Sequence, residues 1–110
     1  MTTRRRAVSL RTFLVECYAP GATAQGAAVA GDRLREAATE MRSEGREVEY
    51  RGSLLVPEDE VVIHVFHARD AGLVRDAVAE TELACERVVE SIAIDLEWSH
   101  PASRPARSTS

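Results

Sequence analysis

Lysine is missing from this chain: all 14 of its basic residues are arginine. That replacement is the codon bias of a GC-rich genome and points to an actinobacterium-like source. Aromatic residues are scarce, one Trp, two Tyr and two Phe, so the core is expected to be built from Val, Leu, Ile and Ala. Cysteine is scarce too. Cys17 and Cys85 are too few for a disulfide framework, and a cytosolic chain is expected to keep both as reduced thiols. No run approaches the roughly 18 apolar residues of a membrane span, and the apolar stretch after Arg4, Arg5 and Arg6 is too short for a signal-peptide core. A cytoplasmic protein with no membrane partner is expected. Positive charge is in deficit, with 18 acidic residues, a net charge of -4 and a pI near 5.4. This disfavours nucleic-acid partners, because sequence-independent binding rests on neutralising phosphates with surplus basic groups. Gly21, Gly26 and Gly31 flank a helix start and do not form the phosphate-cradling loop of a dinucleotide or P-loop site.

What remains is the composition of one small globular domain. At 110 residues and 45 % apolar content, folding hides roughly two-thirds of the unfolded surface. The polar and basic start, residues 1–10, reads as a flexible segment. Residues 98–110, rich in Ser, Pro and Arg, read as a disordered tail that cannot bury enough apolar surface to offset ordering. The ordered domain is expected over 11–97.

Within it, Thr12 to Tyr18 is a strand-like run closed by Pro20 and Gly21. From Thr23 to Glu44 the apolar residues Ala27, Ala30, Leu34, Ala37 and Met41 recur at helical steps, with Thr23 as N-cap and Gly45 as stop. Gly26 and Gly31 each weaken that helix by about 1 kcal/mol relative to Ala. Val48 to Val56 and Val61 to His67 read as a hairpin around the polar turn Pro57-Glu58-Asp59-Glu60. Asp70 caps a second helix with the stripe Leu73, Val74, Ala77 and Val78, and Arg87 to Leu96 supplies a last strand. The order is βαββαβ: an α+β, ferredoxin-like fold, with a four-stranded antiparallel sheet carrying both helices on one face.

The other face of such a sheet is left open. If Phe13, Val15 and Cys17 face the helices, Leu14, Glu16 and Tyr18 face outward. If Val61, Ile63 and Val65 do likewise in the third strand, Val62, His64 and Phe66 join them. The apolar patch of Leu14, Tyr18, Val62 and Phe66 then calls for a second copy, and a homodimer enclosing an inter-sheet cavity is expected.

In that cavity Glu16, His64 and Tyr18 are the expected catalytic group: a carboxylate, an imidazole and a phenol able to exchange protons near neutral pH. Phe66, Ser53, Leu14 and Val62 are the expected ligand-binding wall. A plainer role for the same polar residues is an interfacial network that holds two subunits in register. His64 and His67 lie three apart on a strand and so point to opposite faces, which makes them poor co-ligands for a metal. Ser53 and Ser91 lack the spacing or nucleophile turn of a hydrolase. The RNA-recognition fold shares this element order, but an acidic domain with Glu16 on the open face lacks its basic, aromatic platform.

The motifs Phe13-Leu14-Val15-Glu16-Cys17-Tyr18 with Pro20-Gly21, Gly52-Ser53, Asp59-Glu60 and Phe66-His67-Ala68 make the chain resemble the dimeric α/β-barrel proteins over about residues 11–96. Within that group it is similar to a family of small bacterial proteins that includes actinobacterial nickel-binding members. The resemblance implies the fold and the dimer. Those relatives carry a His before the strand-two Ser and a Cys in strand three, where this chain has Gly52 and His64. No cofactor or metal ligand is therefore assigned, and nickel is kept as the metal the resemblance implies. The expected function is binding of a small organic molecule, with cofactor-independent acid–base chemistry of the cyclase or isomerase type. The alternatives are a non-enzymatic nickel-binding protein and a structural or regulatory interaction module.

Overall fold

The computed structural model describes residues 10–94. The proposed tail 98–110, nearly all of the N-terminal segment and the end of the last expected strand lie outside them. The elements are β1 (Arg11–Tyr18), α1 (Ala24–Ser43), β2 (Val48–Val56), a short 3-10 turn (Pro57–Asp59), β3 (Val61–Ala68), α2 (Ala71–Thr81) and β4 (Arg87–Ser91). The strands form one antiparallel sheet in the order β2-β3-β1-β4, the ferredoxin-like arrangement that the element order predicts.

Local chemistry accounts for the boundaries. The Thr23 hydroxyl accepts from the Gly26 amide at 3.0 Å and opens α1, and the Asp70 carboxylate accepts from the Leu73 amide at 3.0 Å and opens α2. Just past α1, Gly45 adopts a positive φ of 84°, the left-handed stop that glycine takes at low cost. In the β2–β3 turn Pro57 starts the bend and Glu60 completes it at φ 56°. The final strand is shorter than its apolar run suggests: β4 ends at Ser91, and Ile92 and Ile94 are exposed.

One apolar core joins both helices to one face of the sheet. Leu34, Ala37, Ala38 and Met41 of α1 and Val74 and Ala77 of α2 meet Phe13, Val15 and Val48, while Ala30, expected in the buried stripe, is only half-buried. The expected parity of β1 holds. In β3 it does not. Phe13 lies opposite Phe66, Val15 opposite His64 and Cys17 opposite Val62, and directly opposed residues share a face. Val62, His64 and Phe66 therefore lie under the helices, and Val61, Ile63 and Val65 on the open side. The expectation failed because β3 is the interior strand between β2 and β1, with Val65 also only 2 % exposed. A strand buried on both sides carries no alternation from which to read its parity.

The cysteines also depart from expectation. Cys17 and Cys85 form a disulfide across 68 residues of chain, and no described cysteine is free. Pairing of β4 on β1 brings them together: Arg87 lies opposite Glu16, and the Glu86 amide donates to the Glu16 carbonyl at 2.8 Å. The preceding residue, Cys85, is thereby delivered to the end of β1. Closing a loop this long restricts the unfolded chain by about 4 kcal/mol. Denaturant unfolding with and without reductant is expected to show that loss, with Cys85→Ser behaving like the reduced protein; coincident midpoints would contradict it.

Candidate functional site

The two faces of the sheet hold different polar groups. On the open face the Glu16 carboxylate takes the Arg87 guanidinium at 3.0 Å, and the Tyr18 hydroxyl donates to the Glu60 carboxylate at 3.2 Å. Leu14 is half-buried beside them. His64, Phe66, Val62 and Ser53 lie on the opposite face, against the helices. The expected convergence of Glu16, Tyr18 and His64 is therefore not formed: the sheet itself separates the imidazole from the carboxylate and the phenol, for the register reason given above.

The structure assembles a different group under α1. Ser53 Oγ lies 2.6 Å from His64 Nδ1, and the Tyr50 hydroxyl is hydrogen-bonded to the same Ser53 Oγ. Tyr50 and Ser53 are three apart, a spacing that sends side chains to opposite faces of a regular strand. A β-bulge removes the conflict. Tyr50 pairs with Phe66 and Gly52 with Val65, so Arg51 is the extra residue, and Ser53 then falls opposite His64. Tyr50 and Ser53 are both turned to the helix side, and bulges of this kind commonly re-aim side chains. Gly52 holds a φ of 146°, which an L side chain rarely adopts.

A second glycine completes the seat. At Gly31, buried within α1, an added Cβ would collide with the Tyr50 hydroxyl. The helix thus carries a residue that weakens it by about 1 kcal/mol relative to Ala, and this leaves room for the phenol. The Tyr50 ring is held edge-on by Phe66 at 5.6 Å between centroids, and the Arg35 guanidinium lies 4.9 Å above its centroid.

Tyr50, Gly52, Ser53 and Arg35 line an open cleft of about 360 Å³ between α1 and β2, with Ala27, Ala28, Asp32 and Leu55 among the other walls, while His64 lies behind Ser53. That volume is at the small end for small-molecule sites. Comparison of the chain with protein families, curated proteins and solved structures returns no match. What the structure shows is the ferredoxin-like fold alone.

His64 is 1 % exposed, and burial pushes its pKa down to about 4, so at neutral pH it is an uncharged imidazole. With one proton on the ring, one nitrogen donates and the other accepts. The chain Tyr50, Ser53, His64 then has two directions: the phenol donates to Ser53 and Ser53 to Nδ1, or Nδ1–H donates to Ser53 and Ser53 to the phenolic oxygen. Neither needs a net charge. Among the described residues no three His, Cys, Asp or Glu side chains gather as a metal would require, and Cys17 is held in the disulfide.

Sequence reasoning named Ser53 and His64 but assigned them to the wrong face, and it passed over Tyr50, Arg35 and Asp32. The available signal was Gly52 inside a strand, which marks a bulge. The lowered pKa of His64 has a consequence for stability. Between pH 6.5 and about 4 the unfolded chain binds a proton that the folded chain refuses, so stability falls as pH falls through that window, by on the order of 3 kcal/mol. His67, shifted in the same direction mainly by burial and by Arg51, against Glu49, adds to the slope. His64→Asn, which keeps a polar group near the Nδ1 position, is expected to flatten most of it in urea titrations across that range, and an unchanged slope would refute the assignment.

Proposed function

We propose that this protein binds a small organic molecule in the cleft between α1 and β2, and that the Tyr50 hydroxyl, oriented by Ser53 and His64, hydrogen-bonds an oxygen of that molecule and polarises it for cofactor-independent chemistry of the cyclase or isomerase type. The observation that carries this reading is the continuous hydrogen-bond chain from the buried imidazole through Ser53 to the phenol, produced by a bulge and a helix glycine. Both features cost local stability and bring these groups together. A site for this chemistry is expected in the α1–β2 cleft, rather than in the inter-sheet cavity that the sequence suggested.

The low basicity of His64 limits what the chain can do. A base poised for work near pH 7 has a pKa near that value, and an imidazole pushed to about 4 falls well short. Storage of a proton as imidazolium, which a Ser53 nucleophile would require, is disfavoured. Either orientation of the neutral chain avoids that penalty, with the ring proton on Nε2 in one and on Nδ1 in the other. In the first the phenolic oxygen is left to accept from the ligand, and in the second the phenol O–H is left to donate to it, the contact that polarises a carbonyl. The test is a fragment library followed by amide NMR shifts: Arg35, Gly52 and Ser53 are expected to respond together, and Tyr50→Phe and Ser53→Ala to weaken the hits about tenfold, the scale of one buried hydrogen bond. Hits that cluster elsewhere, or that both variants leave unchanged, would sink the reading.

A second reading, an interaction module acting as a homodimer through the open sheet face, is favoured by the apolar side chains there. Leu54, opposite Ile63, is 55 % exposed, and the half-buried Leu14, Ile63 and Val89 continue the strip. Pairing with a second copy would cover it. Native mass spectrometry is expected to show a dimer that Leu54→Arg dissociates; a monomeric parent chain would end this reading.

A further inference from the structure

The Tyr50, Ser53 and His64 hydrogen-bond chain accounts for how a hydroxyl or carbonyl oxygen of a ligand would be met, but not for why Arg35 and Asp32 stand at the mouth of the same cleft. Arg35 Nη1 donates to Asp32 Oδ1 at 2.9 Å, one helical turn away along α1. An exposed pair of this kind adds little stability. Its geometric effect is larger. Asp32 takes one of the five N–H donors of the guanidinium, and the Tyr50 ring 4.9 Å beneath it supplies a flat support. The guanidinium is thereby oriented at the cleft with donors to spare.

We infer that the ligand of this cleft is a small monocarboxylate that also bears a carbonyl or hydroxyl oxygen, its carboxylate taken by Arg35 and its second oxygen by the Tyr50 hydroxyl. This inference rests on the cleft reading above and names its ligand class. Guanidinium and carboxylate match as planar, two-pronged partners whose charge-assisted bonds are roughly twice as strong as neutral ones. Holding Arg35 over the ring before binding removes part of the ordering cost. Charge decides between a carboxylate and a phosphate. Asp32 already balances Arg35, and the chain as a whole carries -4, so the mouth accepts one further negative charge more readily than two. Size agrees: about 360 Å³ with alanines and Leu55 on the walls suits a short carbon chain between the two oxygen groups.

Levulinate, valerate and methyl propyl ketone separate the two contacts, because the first carries both groups and each of the others only one. Titrated at millimolar levels against the oxidised full-length protein, levulinate is expected to shift the amide signals of Arg35, Gly52 and Ser53 saturably. Valerate and the ketone are expected to bind about tenfold more weakly. Arg35→Met keeps the apolar stem. It is expected to lower levulinate affinity by about tenfold, to leave ketone binding as it was, and to melt at the same temperature as the parent. Levulinate binding that is unchanged in Arg35→Met overturns the inference, as does tighter binding of inorganic phosphate at the same amides. Silence from levulinate where library fragments do shift those amides overturns the ligand class and leaves the cleft reading standing. Silence from both overturns the two together.

Discussion

The pairing of Val15 with His64 at the centre of the sheet decides the chemistry of both faces. Because side chains alternate along a strand, a slip of one residue in that register would carry His64 and Phe66 to the open side and Ile63 and Val65 under the helices. With the register as it is, the imidazole lies in the apolar layer beneath α1, where water does not support its charge, while Glu16 remains outside with Arg87. The two polar groups that the fold keeps apart would have formed an ordinary acid–base pair; separated, one is a surface ion pair and the other a neutral hydrogen-bonding centre.

A buried imidazole needs partners, and β2 supplies them only because the bulge at Arg51 and Gly52 breaks its period. Regular pairing would leave Tyr50 and Ser53 on opposite faces. One extra residue brings both beneath α1, where Gly31 leaves space for the phenol. Three local departures from the most stable choice therefore act on a single side-chain chain: a strand glycine at positive φ, a helix glycine in a buried turn and a histidine in the core. Local rules broken together at one place mark functional or strained sites.

Much of the fold was legible in the residues. Thr23 and Asp70 announce the helix starts, Gly45 the first helix stop and Pro57 the turn, each through a local hydrogen bond or dihedral that the residue type favours. The site was legible only in part. Ser53 and His64 stood out as polar residues in apolar strands, but which face they take depends on pairing between β1 and β3, and the run Val61 to Phe66 has no alternation to reveal it. The disulfide was hidden for the same reason. A separation of 68 residues means nothing until β4 is laid against β1, and composition spoke for free thiols. Tyr50 was missed because three-residue spacing on a strand counts against a shared face until Gly52 is read as a bulge.

The neutrality of His64 also links the site to the stability of the domain. An imidazole charged in place would have to be desolvated or let water in, so the fold resists protonation there. That resistance keeps the chain from His64 to Tyr50 uncharged in either orientation. The inner end of the site is accordingly stiff and apolar, held by Phe66, Gly31 and the sheet. The outer end, where Arg35 has a side-chain exposure of 58 %, stays in contact with solvent and with whatever enters. A charged partner suits that outer end, where water can still screen the unbound guanidinium, and a neutral hydrogen bond suits the inner end, where it cannot.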